Sequence, residues 1–425
     1  MEKNDNLLQR IKEGILDMCY IYVREMKNVV RDQGVLIFFI LVPLLYPLLY
    51  SWIYNNEVVR DVPVAVVDLS HSHLSREYLR QCDASPDLKI ISHCNSLDEA
   101  KELVEKQIVN GIIVIPADFQ TKINRMEQSH VSVFSDMSLM LAYKAIYQTT
   151  MMVSQKMNSD IQVMVSNNFT NRENEITTRP LDYEEVPIFN PTGGYGSFII
   201  PGVLMLIIQQ TLLLGIGLSA GTSRENNRYQ DLVPISRHYN GIFRIVLGKS
   251  LCYMMLYAVI GAYLTLVVPR IFNFTSIADS EALFGLMVPY ILACIFFGMV
   301  LSCVIHYREN IMLIIVFSSV PMLFMSGVSW PESAIPGFWR SVACLIPSTF
   351  GIRGFVRINT MGATLADIEQ EYNALWIQVC VYFFAACLVY RYQINHARRH
   401  ALERYENIKQ RVQHAKQQRQ LKKQQ

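Results

Sequence analysis

Six stretches without a single Asp, Glu, Lys or Arg punctuate the chain: Val35 to Ile53, Gly196 to Ala220, Ser250 to Val268, Leu283 to Ile305, Ile311 to Val328 and Tyr372 to Tyr390. A helix rises about 1.5 Å per residue, so about 20 apolar residues cross a hydrocarbon core about 30 Å thick. Charged residues make up 17% of the chain. Because a charge at the bilayer centre costs at least about 2.5 kcal/mol, their exclusion from all six stretches predicts a membrane α-helical fold with six transmembrane helices.

The polar segments divide the rest. Residues 1–34 carry apolar positions at Leu7, Ile11, Ile15, Met18, Tyr22, Met26 and Val29, three or four apart, which predicts an amphipathic helix lying in the membrane interface; a helix packed on its own protein is the alternative. The first transmembrane helix covers 35–53. The insert 54–195 alternates strand-like runs (Val62 to Val67, Leu88 to Ser92, Gly111 to Ile115, Val131 to Phe134) with helical ones (His71 to Gln81, Ser96 to Lys106, Leu139 to about Val165), and so reads as an α/β domain. Residues 196–392 hold the other five transmembrane helices, with a cytoplasmic loop at 221–249, and 393–425 form a basic tail. Between 329 and 362 the apolar runs are too short to cross and are broken by Pro331, Pro336 and Pro347, with Trp330 and Trp339 beside them; this predicts a re-entrant pair of short helices on the outer face.

Basic residues set the orientation. Six precede the first span, five lie in 221–249 and ten follow from Arg391, whereas the opposite short loops hold four. The positive-inside bias puts both termini in the cytoplasm and the α/β insert outside. The net charge of +2 averages this asymmetry away. No small-residue cleavage site follows the first span, so it is expected to stay as an anchor.

Candidate chemistry is sparse. Gly248-Lys249-Ser250 ends like a phosphate-binding loop, but Phe243 stands where such a loop needs glycine; Lys249 reads instead as a lysine snorkelling at the end of a span. His71, His73 and His93 lack the companions of a metal site, and no nucleophile elbow is present. Of nine cysteines only Cys82 and Cys94, together in the insert, are candidates to pair, with Cys344 an outer-face singleton. Gln209 and Gln210, midway along the second span, need partners at membrane depth, on another helix, on another subunit or on a substrate in the pathway. No enzyme, bound cofactor, metal or nucleic-acid partner is expected of this chain.

The order of these features resembles the permease subunits of ABC-2 type exporters, in the branch with a large extracytoplasmic domain after the first transmembrane helix. The likeness rests on Arg24-Glu25 and Arg31-Asp32 before the first span with Pro43 inside it, the run Gly111 to Phe119, Arg224-Glu225 through Pro234, Gly248-Lys249, and Ser326-Gly327 through Pro331 with Pro347 beyond. It covers the chain to about Tyr392. Where the family commonly carries Glu followed shortly by Gly-Thr, this chain has Glu225-Asn226-Asn227-Arg228-Tyr229-Gln230-Asp231.

The resemblance implies a separate ABC ATPase subunit holding ATP and magnesium, a second permease subunit forming a homodimer or heterodimer, and efflux of a lipophilic or amphipathic compound from the bacterial inner membrane. It also implies a periplasmic adaptor and an outer-membrane channel as further partners. Arg24, Glu25, Arg31, Asp32, Arg224, Glu225, Arg228 and Asp231 are then expected to form or support the ATPase contact. The reading from another class is a membrane receptor sensing a ligand through the α/β insert.

Overall fold

The computed structural model describes residues 2–166, 169–181, 186–191, 193–226, 241–305 and 307–424; in 2–11, 226, 397–398 and 400–424 only the backbone is described. The chain divides into two units, one of Met1–Asn55 with Phe189–Gln425 and one of Asn56–Ile188. Tyr54 and Tyr195, expected at the edges of the insert, belong to the first unit, where their ring centroids lie 5.6 Å apart.

The first unit is helical. An amino-terminal helix, Glu2–Arg31, precedes six helices long and apolar enough to cross a membrane: Gln33–Ile53, Tyr195–Asn226, Ile242–Ile271, Ser280–Val304, Arg308–Met325 and the Glu369–His396 part of the helix Glu369–Gln424. The second span is apolar on every side and is enclosed by its neighbours, while the fifth is the least covered. Gly215 makes that central position workable, because a Cβ there would overlap the Phe39 ring. Ahead of Pro43, residues Ile37–Leu41 widen into a π-turn, one way a helix absorbs the backbone bond that proline cannot donate.

After the fifth span two short helices, Gly337–Ala343 and Pro347–Met361, meet at 86°. Both limbs return to one end of the bundle. Arg353 pairs with Glu332 at 2.8 Å and donates to the Ser326 carbonyl at the end of the fifth span, while the Asn359 carbonyl accepts Ile277 N (3.0 Å) from the link between the third and fourth spans. Gly362 closes the second limb in the left-handed region, at φ 66°. The two limbs are therefore tied by these contacts to one end of the bundle, as a bent pair called the hairpin below.

In the second unit, β1 (Val62–Asp68) pairs in parallel with β2 (Leu88–His93) and β3 (Gly111–Ile115), and β4 (Ser132–Ser135) runs antiparallel to β3, in the order β2-β1-β3-β4. Alternation sorts the strands onto two cores. Val62, Val64 and Val66 pack with Tyr78, Leu79 and Cys82 of His73–Asp83 and with Ile146 and Val153 of Met140–Ser166, whereas Ala65, Val67 and Ile112 pack with Ala100, Val109 and Cys94. Cys82 and Cys94, the two candidates to pair, are thus free thiols in cores on opposite faces of the sheet. Burial pushes the Cys82 thiol up to about 12.

Candidate functional site

The amino-terminal helix meets the third span along a stripe one position off its most apolar face. Ile21, Glu25 and Val29 are buried, while Ile15, Val23 and Val30 stay exposed. Gly248 lets the helices close, since a Cβ there would sit 3.1 Å from Ile21 and the Met18 carbonyl. One face of the amino-terminal helix is thus packed on protein, and the adjoining apolar face is left outward.

That contact buries an ion pair. Lys249 Nζ lies 3.2 Å from both carboxylate oxygens of Glu25, with side-chain exposures of 6% and 2%. Tyr253 Oη and Ser219 Oγ (3.2 Å) donate to the same Oε1. Lys249 consequently does not snorkel: a carboxylate delivered by the amino-terminal helix holds it inside. Burial opposes ionisation of Glu25, but the Lys249 ammonium and then the hydrogen bonds from Tyr253, Lys249 and Ser219 hold its carboxyl below the ordinary 4.5.

Two turns further on, Asp32 caps the first span by accepting Gly34 N (2.9 Å) and Val35 N (3.3 Å). The same carboxylate accepts Thr222 Oγ1 at the end of the second span and pairs with Arg308 Nη2 (3.3 Å) at the start of the fifth; Arg308 Nη1 also donates to Thr222 Oγ1 (3.1 Å). Burial would raise the Asp32 pKa, but the bonds from Thr222 and Val35, with Arg308, bring it below 3.8. Arg224 is buried and donates to the carbonyls of Ile305 (2.8 Å) and Cys303 (3.4 Å), closing the end of the fourth span. Asp17 adds a pair with Arg244 at 2.6 Å.

Of the eight residues singled out, Glu25, Asp32 and Arg224 thus work inside the bundle. Glu225 and Arg31 are exposed and Arg24 is half-buried, while Arg228 and Asp231 lie outside the described residues. The sequence reading missed Lys249, Tyr253, Ser219 and Arg308 as partners, although an i, i+4 Lys-Tyr pair beside Gly248 was a signal that one helical face there is polar.

The second polar focus lies at mid-span. Gln209 Oε1 accepts Ser348 N at 2.7 Å, so a side chain from the second span caps the inner end of the hairpin limb Pro347–Met361. Gln209 Nε2 and Gln210 Nε2 both lie 3.3 Å from Met322 Sδ of the fifth span. On the far side of the tip, Gln378 Nε2 donates to the Cys344 carbonyl (2.8 Å). Cys344 thus sits in the turn between the two limbs, beside Gln378 of the sixth span. Near the other end of the fifth span, Pro321, Phe324, Trp330, Ile335 and Trp339 line an apolar groove of about 350 Å³.

Residues 34–388 match the profile of the ABC-2 family transporter protein. The linearmycin resistance permease protein LnrN of Bacillus subtilis is 22% identical over 347 residues, covering 76% of this chain and 86% of that one. The probable multidrug ABC transporter permease YbhR of Escherichia coli K12 is 21% identical, covering 83% and 91%. The ABC transporter G family member 20 of Dictyostelium discoideum is also 21% identical, covering 89% of this chain and 50% of its own length.

Proposed function

Because the chain belongs to the ABC-2 transporter family, we propose that it is the membrane subunit of an ATP-driven exporter, pairing with a second permease subunit to carry a lipophilic or amphipathic compound outward. A separate ATPase subunit hydrolyses ATP-Mg and pushes on the end of the bundle that carries Glu25, Asp32 and Arg224. In a double-membrane bacterium the chain sits in the inner membrane with both termini cytoplasmic. The α/β unit then lies outside, where a periplasmic adaptor and an outer-membrane channel have access.

One observation carries this reading. At a single end of the bundle, the ion pairs Glu25–Lys249 and Asp32–Arg308 tie the amino-terminal helix and the start of the first span to the third and fifth spans, with Ser219 and Thr222 of the second span bonded into both. A push delivered there reaches four spans through direct side-chain contacts. The exposed Glu225 and Arg31 supply the surface and the buried residues supply stiffness. The apolar groove and the charge-free spans favour an amphipathic cargo, in keeping with the resistance and multidrug permeases that the chain resembles.

Co-expression with ATPases from the same genome, followed by affinity purification, tests the assignment. A stable complex whose ATP hydrolysis is stimulated by amphipathic dyes in proteoliposomes supports it. A solitary chain that binds ligand only through residues 56–188 favours the receptor reading. If the complex forms but Glu225→Lys leaves association and dye transport unchanged, the proposed contact surface is wrong.

A further inference from the structure

Polar groups crowd the hairpin tip in numbers that the protein does not satisfy. Ser348 Oγ and Thr349 Oγ1, in residues 0% and 1% exposed, make no hydrogen bond with any described residue, and neither does Gln210 Oε1. The two glutamine amides nearby spend an N–H each on one thioether, Met322 Sδ, a weak acceptor. Ser348 and Thr349 are neighbours in the chain, and a run of contacts through the Gln209 amide and the Met322 sulfur links Ser348 N to the Gln210 amide. The two glutamines stand midway along the second span, Tyr195–Asn226. Unmade hydrogen bonds at that depth are costly, because hydrocarbon offers no substitute.

We propose that the Gln210–Ser348–Thr349 cluster is a water-binding site at the middle of the membrane. The unmet groups are two hydroxyls, each able to donate and accept, and one amide oxygen that only accepts. Water, which donates and accepts and makes about three bonds when buried, completes such a set; an anion or a cation satisfies only half of it. Water at the tip also stands ready to replace Gln209 on Ser348 N, so the hairpin can part from the second span without stranding a backbone donor in hydrocarbon. This site stands independently of the transport reading, and its test measures no transport.

Hydroxyl-radical footprinting of the full chain in lipid nanodiscs tests it, because radicals formed from water at the cluster oxidise the adjacent Met322 sulfur. Met322 is expected to oxidise several-fold faster than Met205 and Met299, which are fully buried in the second and fourth spans. Ser348→Ala combined with Thr349→Val is expected to bring Met322 down to their rate, whereas Thr349→Ser, which keeps the hydroxyl, preserves the wild-type rate. Should the double variant fail to fold by circular dichroism, Ser348→Ala alone is expected to lower the rate part way. Met322 oxidising as slowly as Met205 overturns the proposal, as does a Met322 rate indifferent to loss of the hydroxyls, which marks an oxidant arriving from outside the cluster.

Discussion

Lys249→Met removes the ammonium that neutralises Glu25 and leaves a carboxylate inside the bundle with two hydroxyl donors. At the observed 3.2 Å, and with an effective dielectric constant near 20, the attraction is about 5 kcal/mol. Stranding one partner of a buried pair costs about 3–5 kcal/mol. Glu25→Gln, which strands the ammonium, is expected to cost a similar amount. The double variant, carrying no charge, regains much of that loss and gives an interaction energy of about 2–3 kcal/mol in the cycle. Equilibrium unfolding of the four proteins in detergent, followed by tryptophan fluorescence, measures each difference. Single variants within about 0.5 kcal/mol of wild type, or effects that simply add, mean that the two charges are separately hydrated; the buried network is then refuted.

The same carboxylates set an acid dependence. Glu25 and Asp32 have folded pKa values below 4.5 and 3.8, so their contribution is present above those values and is lost as pH falls through the lower folded ones. Stability measured between about pH 4.5 and pH 3 is expected to fall less steeply in Glu25→Gln/Lys249→Met than in wild type; equal slopes exclude Glu25 as a source. Gln209→Leu uncaps the hairpin limb and leaves Ser348 N without its acceptor, for a loss of about 1–3 kcal/mol in the same unfolding assay. A charged, membrane-impermeant maleimide is expected to label a cysteine introduced at Ser333 and to spare Cys344 in nanodiscs; equal rates put the tip at the surface. Arg353→Met releases the Glu332 contact and the Ser326 carbonyl, and is expected to speed proteolysis between residues 327 and 336, read by mass spectrometry.

The spans were legible because the cost of a charge in hydrocarbon acts on each segment alone, and the first of them, expected over 35–53, forms Gln33–Ile53. Strands Val62–Asp68 and Gly111–Ile115 likewise followed from local β-branched runs, and the helix Leu97–Glu105 falls within the helical run read from Ser96 to Lys106. The break into two short helices showed itself through prolines and short apolar runs. Partnerships did not. Glu25 and Lys249 are separated by 224 positions, and nothing local tells a snorkelling lysine from a paired one. Gln209 called for a partner without saying that Ser348 would supply it. Cys82 and Cys94 are near in sequence, yet the strand between them, Leu88–His93, carries them to different faces. The helix Asn171–Thr178 was missed because its capping box, Thr170 with Glu173, lies in a stretch otherwise rich in polar loop formers.

The sixth span does not stop where its apolar residues do. Glu369–Gln424 is one helix, and the portion beyond His396 extends it by about 42 Å at 1.5 Å per residue. Such a rod magnifies whatever happens at its root: a tilt of about 10° in the bilayer swings the far end by roughly 7 Å. A pair of spin labels or dyes at that distant tip is therefore a gauge of the bundle's posture, readable in water without touching the hydrocarbon-embedded parts.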